Sequence, residues 1–214
     1  MASASFAASD SRATLVELHR FTIHELLILV EGLYSNIDDG LFELADRDPE
    51  GVRRERCFNL MREMRFRRTS LVSNFTGSMQ SLSRFWFVDE TWEPIVLTQN
   101  DDLADQIKSL TGKADAHFSG LLRMITERAC HATSVDSKAL QELPIGPSAI
   151  SQCFVLSCRS LRMDDESIDL VLHLFSRFVL DRLGQVYARA NTMLRDASYL
   201  TLGELEMAAS AHSA

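Results

Sequence analysis

With 214 residues, 46% of them hydrophobic and 24% charged, the chain has enough apolar material for one domain with a sizeable core. Only 9 glycines and 4 prolines interrupt it, too few for the closely spaced turns of a β-sandwich or barrel. A net charge of −8 argues against a general nucleic-acid binder, whose phosphate contacts need a positive field.

Residues 1–12 are small and polar and are expected to be a disordered tail. A helical pattern runs from about Thr14 to Asp46. Leu15, Leu18, Thr22, Leu26, Leu29, Leu33, Tyr34, Ile37, Leu41 and Leu44 recur at helical spacing, and Gly32 and Gly40 mark a bend or a close helix contact. "RDPEG" at 47–51 connects to a second helix at about 50–80, with Pro49 in its first turn. That helix carries an apolar stripe through Cys57, Leu60, Met64, Leu71, Phe75 and Met79.

The aromatic connection 84–100 contains Phe85, Trp86, Phe87 and Trp92, and "PIVLT" at 94–98 is the single strand candidate. Asn100 or Asp101 caps a third helix, 101–131, with Leu103, Ala114, Phe118 and Ile125 on one face. After a polar loop, "GPSAIS" opens a short fourth helix at 147–161, and a fifth runs unbroken from Asp164 or Asp165 to Ala197. The organisation is a disordered tail at 1–12, a helical domain at 13–200 and a flexible or frayed tail at 201–214. The fold class is all-α, a bundle of about five helices with a long antiparallel hairpin and no sheet.

The patterns that carry chemistry are missing. The six histidines do not converge, and Cys57, Cys130, Cys153 and Cys158 show neither disulfide-framework nor CxxC spacing. No metal and no cofactor are expected, and the cysteines read as reduced thiols of a cytoplasmic protein. There is no GxSxG elbow, no GxGxxG and no GxxxxGK[ST]. The paired aspartates at 101–102 and 164–165 sit where helices begin and suit the dipole there. No catalytic residues are assigned and the chain is not read as an enzyme. The apolar run 26–30 is far too short to span a bilayer.

Three ordered stretches resemble the proteobacterial domain-of-unknown-function family DUF1631, whose members are often mislabelled thymidine phosphorylase. They are "DDGLFELADRDPEGVRRERCFNLMREMRFRR" at 38–68, "LPIGPSAISQCF" at 143–154, and "VLHLFSRFVLDRLGQVYARANTML" at 171–194, with Phe175, Phe178, Leu183, Tyr187 and Asn191. The resemblance spans roughly 30–197 and implies a helical region of unknown activity. Some relatives end in a PilZ-like module, which implies a link to cyclic-di-GMP signalling. This chain departs from them in stopping after the helical region, as a short paralogue or a fragment would. It also lacks an RxxxR arm followed by a DxSxxG turn, so direct binding of that nucleotide by such a module is not expected.

The densest charge is "RRERCFNLMREMRFRR", seven arginines between Arg53 and Arg68. In an antiparallel hairpin about Pro49, facing residue numbers sum to about 99. Asp46 then faces Arg53, Glu43 faces Arg56, Tyr34 faces Arg65, and Glu31 faces Arg68. Glu63 has Arg67 at the favourable four-residue spacing. The expectation is that Glu31 and Arg68 form an interior ion pair that fixes the hairpin register.

Arg54, Arg62 and Arg65 are left without named partners. With Trp86 and Trp92 they form the candidate partner or anion surface, and the competing, somewhat favoured reading has Trp86 and Phe87 plug the end of the bundle. The resulting expectation is a non-enzymatic adaptor or regulatory domain that binds another protein, with a homodimer also open. The alternative is a sensor that binds a nucleotide or other phosphate through Arg54, Arg62 and Arg65.

Overall fold

The computed structural model of the chain describes residues 2–47, 51–86, 101–133 and 143–211. Seven α-helices occupy them: α1 (Ala2–Asp46), α2 (Val52–Ser81), α3 (Asp101–Thr133), α4 (Pro147–Ser160), α5 (Asp165–Phe178), α6 (Leu183–Asp196) and α7 (Leu202–Ala211). Short 3₁₀ turns at Leu82–Trp86 and Leu180–Arg182 complete the order, and no strand occurs among the described residues. Pro49, Phe87, Trp92, Asn100 and the candidate strand at 94–98 lie outside them.

α1 and α2 form the long antiparallel hairpin. The α1 stripe from Leu15 to Leu41 and the α2 stripe of Cys57, Leu60, Met64, Leu71, Phe75 and Met79 are both buried. Gly51 turns the chain into α2 at φ 72°, a left-handed conformation that glycine adopts without strain. Gly40 marks the close helix contact, because a Cβ there would stand 2.7 Å from Leu174 Cδ2 on α5. At Gly32 a Cβ would meet nothing, so that position makes no such contact.

The core centres on three rings from three helices. Phe154 of α4 stacks on Phe175 of α5 at 3.9 Å, and Phe75 of α2 meets both edge-on at 6.5 and 6.3 Å. Such pairs add to simple area burial because ring edges and faces carry opposite partial charge. Two α6 side chains close the opposite side. The Tyr187 hydroxyl donates to the Ile145 carbonyl at 3.0 Å, and the Asn191 amide donates to the Leu121 carbonyl at 3.0 Å.

Three boundaries differ from the expectation. The segment 2–12 is helical and extends α1, consistent with the high helix propensity of its alanines, and Ser11 accepts a hydrogen bond from the Tyr199 hydroxyl at 3.0 Å. The expected single helix over 165–197 is two helices. Its break lets Val179, Leu180 and Leu183 all reach full burial, and it is followed by Gly184, where a Cβ would crowd the Phe118 ring at 3.1 Å.

The expected frayed tail is the third. α7 begins in a capping box, "TLGE", in which Thr201 N–H donates to Glu204 and Glu204 N–H donates back to Thr201 Oγ1, at 2.8 and 3.3 Å. Buried Arg128 then donates to Glu204 at 2.9 Å and to the Tyr199 carbonyl at 2.7 Å. The backbone hydrogen bond from Thr201, reinforced by Arg128, lowers the Glu204 pKa to about 2, so this anchor stays charged across the ordinary pH range.

At the far end of the hairpin, buried His19 joins three segments. Its Nε2–H donates to the Met79 carbonyl at 2.7 Å, and its Nδ1 accepts from Trp86 Nε1 at 3.2 Å. Both bonds require a neutral ring, because an imidazolium would turn an N–H against the Trp86 N–H. Burial lowers the His19 pKa, outweighing the bond to Met79 that raises it. The unfolded chain therefore takes up a proton near pH 6.5 while the folded chain does not. Stability is full above that pH and falls on acidification, by no more than about 1.4 kcal/mol per pH unit. Urea unfolding at pH 7.5 and pH 5 should show this loss, and His19→Gln should lose less between the two.

Candidate functional site

The outward face of α2 is set by its inward one. With Cys57, Leu60, Met64 and Leu71 turned into the core, Arg54, Phe58, Arg62 and Phe66 follow one another at four-residue steps on the solvent side. They make a ridge of alternating cation and ring, about 18 Å long by helical rise. Phe66 is 95% exposed and Phe58 41% exposed. Phe42 of α1, 57% exposed, reaches across the hairpin seam to Phe58, with ring centroids 6.4 Å apart. Large apolar side chains gathered in this way on a surface mark a contact site rather than ordinary scatter.

The arginines of this helix divide by flank. On the α1 side, Arg65 donates to Asp38, with its Nε at 2.9 Å, and this bond raises its pKa. Arg68 pairs with Glu31 and lies 5.3 Å from the Tyr34 ring centre. On the α4 and α5 side, Arg67 pairs with Glu63 at 2.7 Å and donates to the Leu161 carbonyl. Arg56 donates to Asp164 at 2.9 Å and pairs with Glu166. Between the flanks, Arg62 reaches only Asn59, at 3.4 Å, and Arg54 has no ion pair among the described residues.

The expected pairings are corrected accordingly. Glu31 meets Arg68 as the hairpin register required, but the side chains are 52% and 47% exposed, so the pair is not interior. Arg68 escapes burial by lying over Tyr34. Glu43 does not meet Arg56. It pairs with Arg47 and Arg177, which lowers its pKa, while Arg56 faces away from α1. Arg65 has a partner in Asp38, which removes it from the free anion set.

Trp86 is 1% exposed and bonded to His19, so it plugs the bundle end and offers no partner surface. Sequence reasoning passed over Phe58, Phe66 and Phe42. The signal for Phe58 and Phe66 was legible as phenylalanines alternating with Arg54 and Arg62 at four-residue spacing, off the apolar stripe, whereas Phe42 on α1 carried no such signal.

A mixed-charge cleft of about 480 Å³ opens where the N-terminal ends of α2, α3 and α5 meet, lined by Arg53, Arg56, Asp102, Gln106, Glu166 and Asp169 among others. Arg56 spans it to the first turn of α5, where the Asp164 side chain also accepts from Ser167 N–H at 2.9 Å. The cleft is thus a helix junction in which cations and carboxylates answer each other. Among the described residues no three His, Cys, Asp or Glu side chains are grouped to hold a metal ion. Nor is any described helix long and apolar enough to cross a membrane.

Residues 95–198 match the family model described as protein of unknown function (DUF1631), N-terminal domain. Over that stretch the chain is similar to the DUF1631 N-terminal domain. The DUF1631 match takes in the stretches at 143–154 and 171–194 and leaves 38–68 outside. In the DUF1631 region Phe175, Leu183, Tyr187 and Asn191 are buried, while Phe178 lies half-buried beneath the Arg177 and Arg182 guanidinia, at 5.4 and 5.6 Å. These residues build the bundle. The ridge on α2 precedes the matched segment. The chain matches no curated protein and no solved structure.

The exposure of the Glu31–Arg68 pair fixes its expected weight. A double-mutant cycle with Glu31→Ala and Arg68→Met should give a coupling energy of roughly 0.2–1 kcal/mol, fading in high salt. A value near that of a buried pair, about 3 kcal/mol or more, would restore the interior assignment.

Proposed function

We propose that the chain is a non-enzymatic helical interaction module, an adaptor or regulatory domain of a bacterial signalling pathway, that docks another protein on the Arg54–Phe58–Arg62–Phe66 ridge of α2. The observation that carries this is the exposure of Phe66, Phe58 and Phe42 beside Arg62 and Arg54, on a helix whose other face is fully committed to the core. Phe and Arg together suit a protein contact, because the ring gains from desolvation and the guanidinium finds carboxylates at the rim.

The same geometry disfavours a phosphate sensor. Arg54 and Arg62 stand about 12 Å apart on the outer surface of a helix, with a ring between them, and Arg65 is taken by Asp38. The signalling part of the reading rests on the family resemblance, which is also what suggests cyclic-di-GMP as the pathway to test.

A photo-crosslinking phenylalanine analogue at position 66, expressed in the native host, tests the docking site. The expected result is one discrete adduct whose cross-linked peptide is an apolar helix bearing carboxylates, and which disappears on adding Arg62→Glu. Absence of any adduct, or an adduct indifferent to Arg62→Glu, contradicts the assignment.

A further inference from the structure

On the α2 ridge, cations and rings alternate without meeting. Elsewhere in the chain arginine lies over an aromatic ring, as Arg189 does over Phe21 at 4.7 Å and Arg68 over Tyr34 at 5.3 Å. Among the described residues no guanidinium lies over Phe58 or Phe66, although Arg54 and Arg62 stand one turn away from them on the same helix. Phe66, at 95% exposed, keeps its ring in solvent, and neither Arg54 nor Arg62 has a carboxylate among the described residues. Rings and guanidinia attract one another, and more strongly once water is excluded, so all four groups lack the kind of partner that suits them.

Their order decides what that partner is. Read from the N-terminal end of α2, the ridge runs cation, ring, cation, ring; read backwards it runs ring, cation, ring, cation. A second copy laid antiparallel along it, with facing residue numbers summing to about 120, sets Arg54 against Phe66 and Phe58 against Arg62. The two-fold axis repeats both pairs, so every ring on the ridge meets a guanidinium. A parallel pair related by a two-fold axis would instead set arginine on arginine. The antiparallel arrangement joins the same surface of both copies and does not propagate into a filament.

Glu55 supplies the balancing charge. It is exposed, lies two turns before Arg62 on the same outward face, and has no hydrogen bond or ion pair among the described residues. In the antiparallel register it stands within one turn of Arg62 of the second copy, which relieves the repulsion among the gathered arginines. The contact covers one helix face and the adjoining Phe42. It therefore belongs to the small, readily dissociating class of interfaces.

We infer that the occupant of the ridge is a second copy of this chain, packed α2 against α2 in an antiparallel two-fold dimer through crossed arginine–phenylalanine contacts and Glu55–Arg62 pairs. This assignment rests on the reading of the ridge as a docking surface and names its resting occupant. Another protein then gains the ridge by displacing the second copy.

Sedimentation velocity of the full chain should show a dimer that dissociates on dilution. Arg62→Glu or Glu55→Arg alone should weaken it at least about tenfold, because like charges then face one another. The two substitutions combined in one chain should restore it, because each pair is then reversed and not broken, with far-UV circular dichroism unchanged throughout. In the purified chain, a photo-crosslinking phenylalanine analogue at position 66 should attach to residues 53–56 of another copy, identified from a mixture of isotopically light and heavy protein. A wild type that stays monomeric overturns the inference, as does a dimer untouched by both single substitutions or a cross-link elsewhere. Failure of the double variant to dimerise with its helicity intact overturns it too. If the adduct formed in the native host still depends on Arg62, only the self-pairing falls and the ridge docks another protein; if that adduct is also absent, the reading of the ridge falls with it.

Discussion

The antiparallel packing of α1 on α2 is the constraint on which the rest depends. Two helices of 45 and 30 residues lie along one another, and each buries a continuous apolar stripe. Neither would be stable alone at that length in water without such a face. Once Leu60, Met64 and Leu71 turn inward, the rotation of α2 is settled, and with it the direction of every arginine. The flanking ones find carboxylates or a carbonyl on α1, α4 and α5. The outermost ones do not, because nothing among the described residues stands opposite them. The ridge is therefore a consequence of core packing, and its phenylalanines are the part that packing does not explain.

The remaining helices hold that hairpin in place by two means. The Phe75, Phe154 and Phe175 cluster joins α2, α4 and α5 through ring contacts. Around it, a small number of buried polar groups fix directions. His19 ties α1 to the end of α2 and to Trp86, Tyr187 and Asn191 tie α6 to α3 and to the turn before α4, and Arg128 orients α7. Each of these groups would be costly to leave unpaired, so each specifies one arrangement more sharply than apolar contact could.

Much of this was legible in the residues, and the misses have particular causes. Helical periodicity located α1, α2, α3 and α4, and the Glu31–Arg68 register followed from counting back from the turn. Periodicity could not show the break at Val179–Arg182, where the burial of Leu180 overrides a pattern that reads as continuous helix. In the tail it gave a fraying short helix from Glu204 onward but not the start of α7 at Leu202, although the Thr201-x-x-Glu204 spacing was a readable start signal. The pairing of Arg56 was missed because a two-helix picture ignores which flank faces α5, and that of Arg65 because facing positions gave Tyr34 whereas the long side chain reaches Asp38, four residues further along α1. Trp86 was ambiguous for the same reason, since its partner His19 lies 67 residues away. The ridge itself was half visible. Arg54 and Arg62 stood out as unmatched charges, but Phe58 and Phe66 were not set beside them.

The central claim is that Phe66 serves contact and not folding, and its contribution to stability measures this most directly. Denaturant unfolding of Phe66→Ser should give a free energy within about 0.5 kcal/mol of the wild type at low protein concentration, as for surface positions without packing partners. A loss of about 3 kcal/mol or more would show that Phe66 belongs to the chain's own core, and would contradict the account.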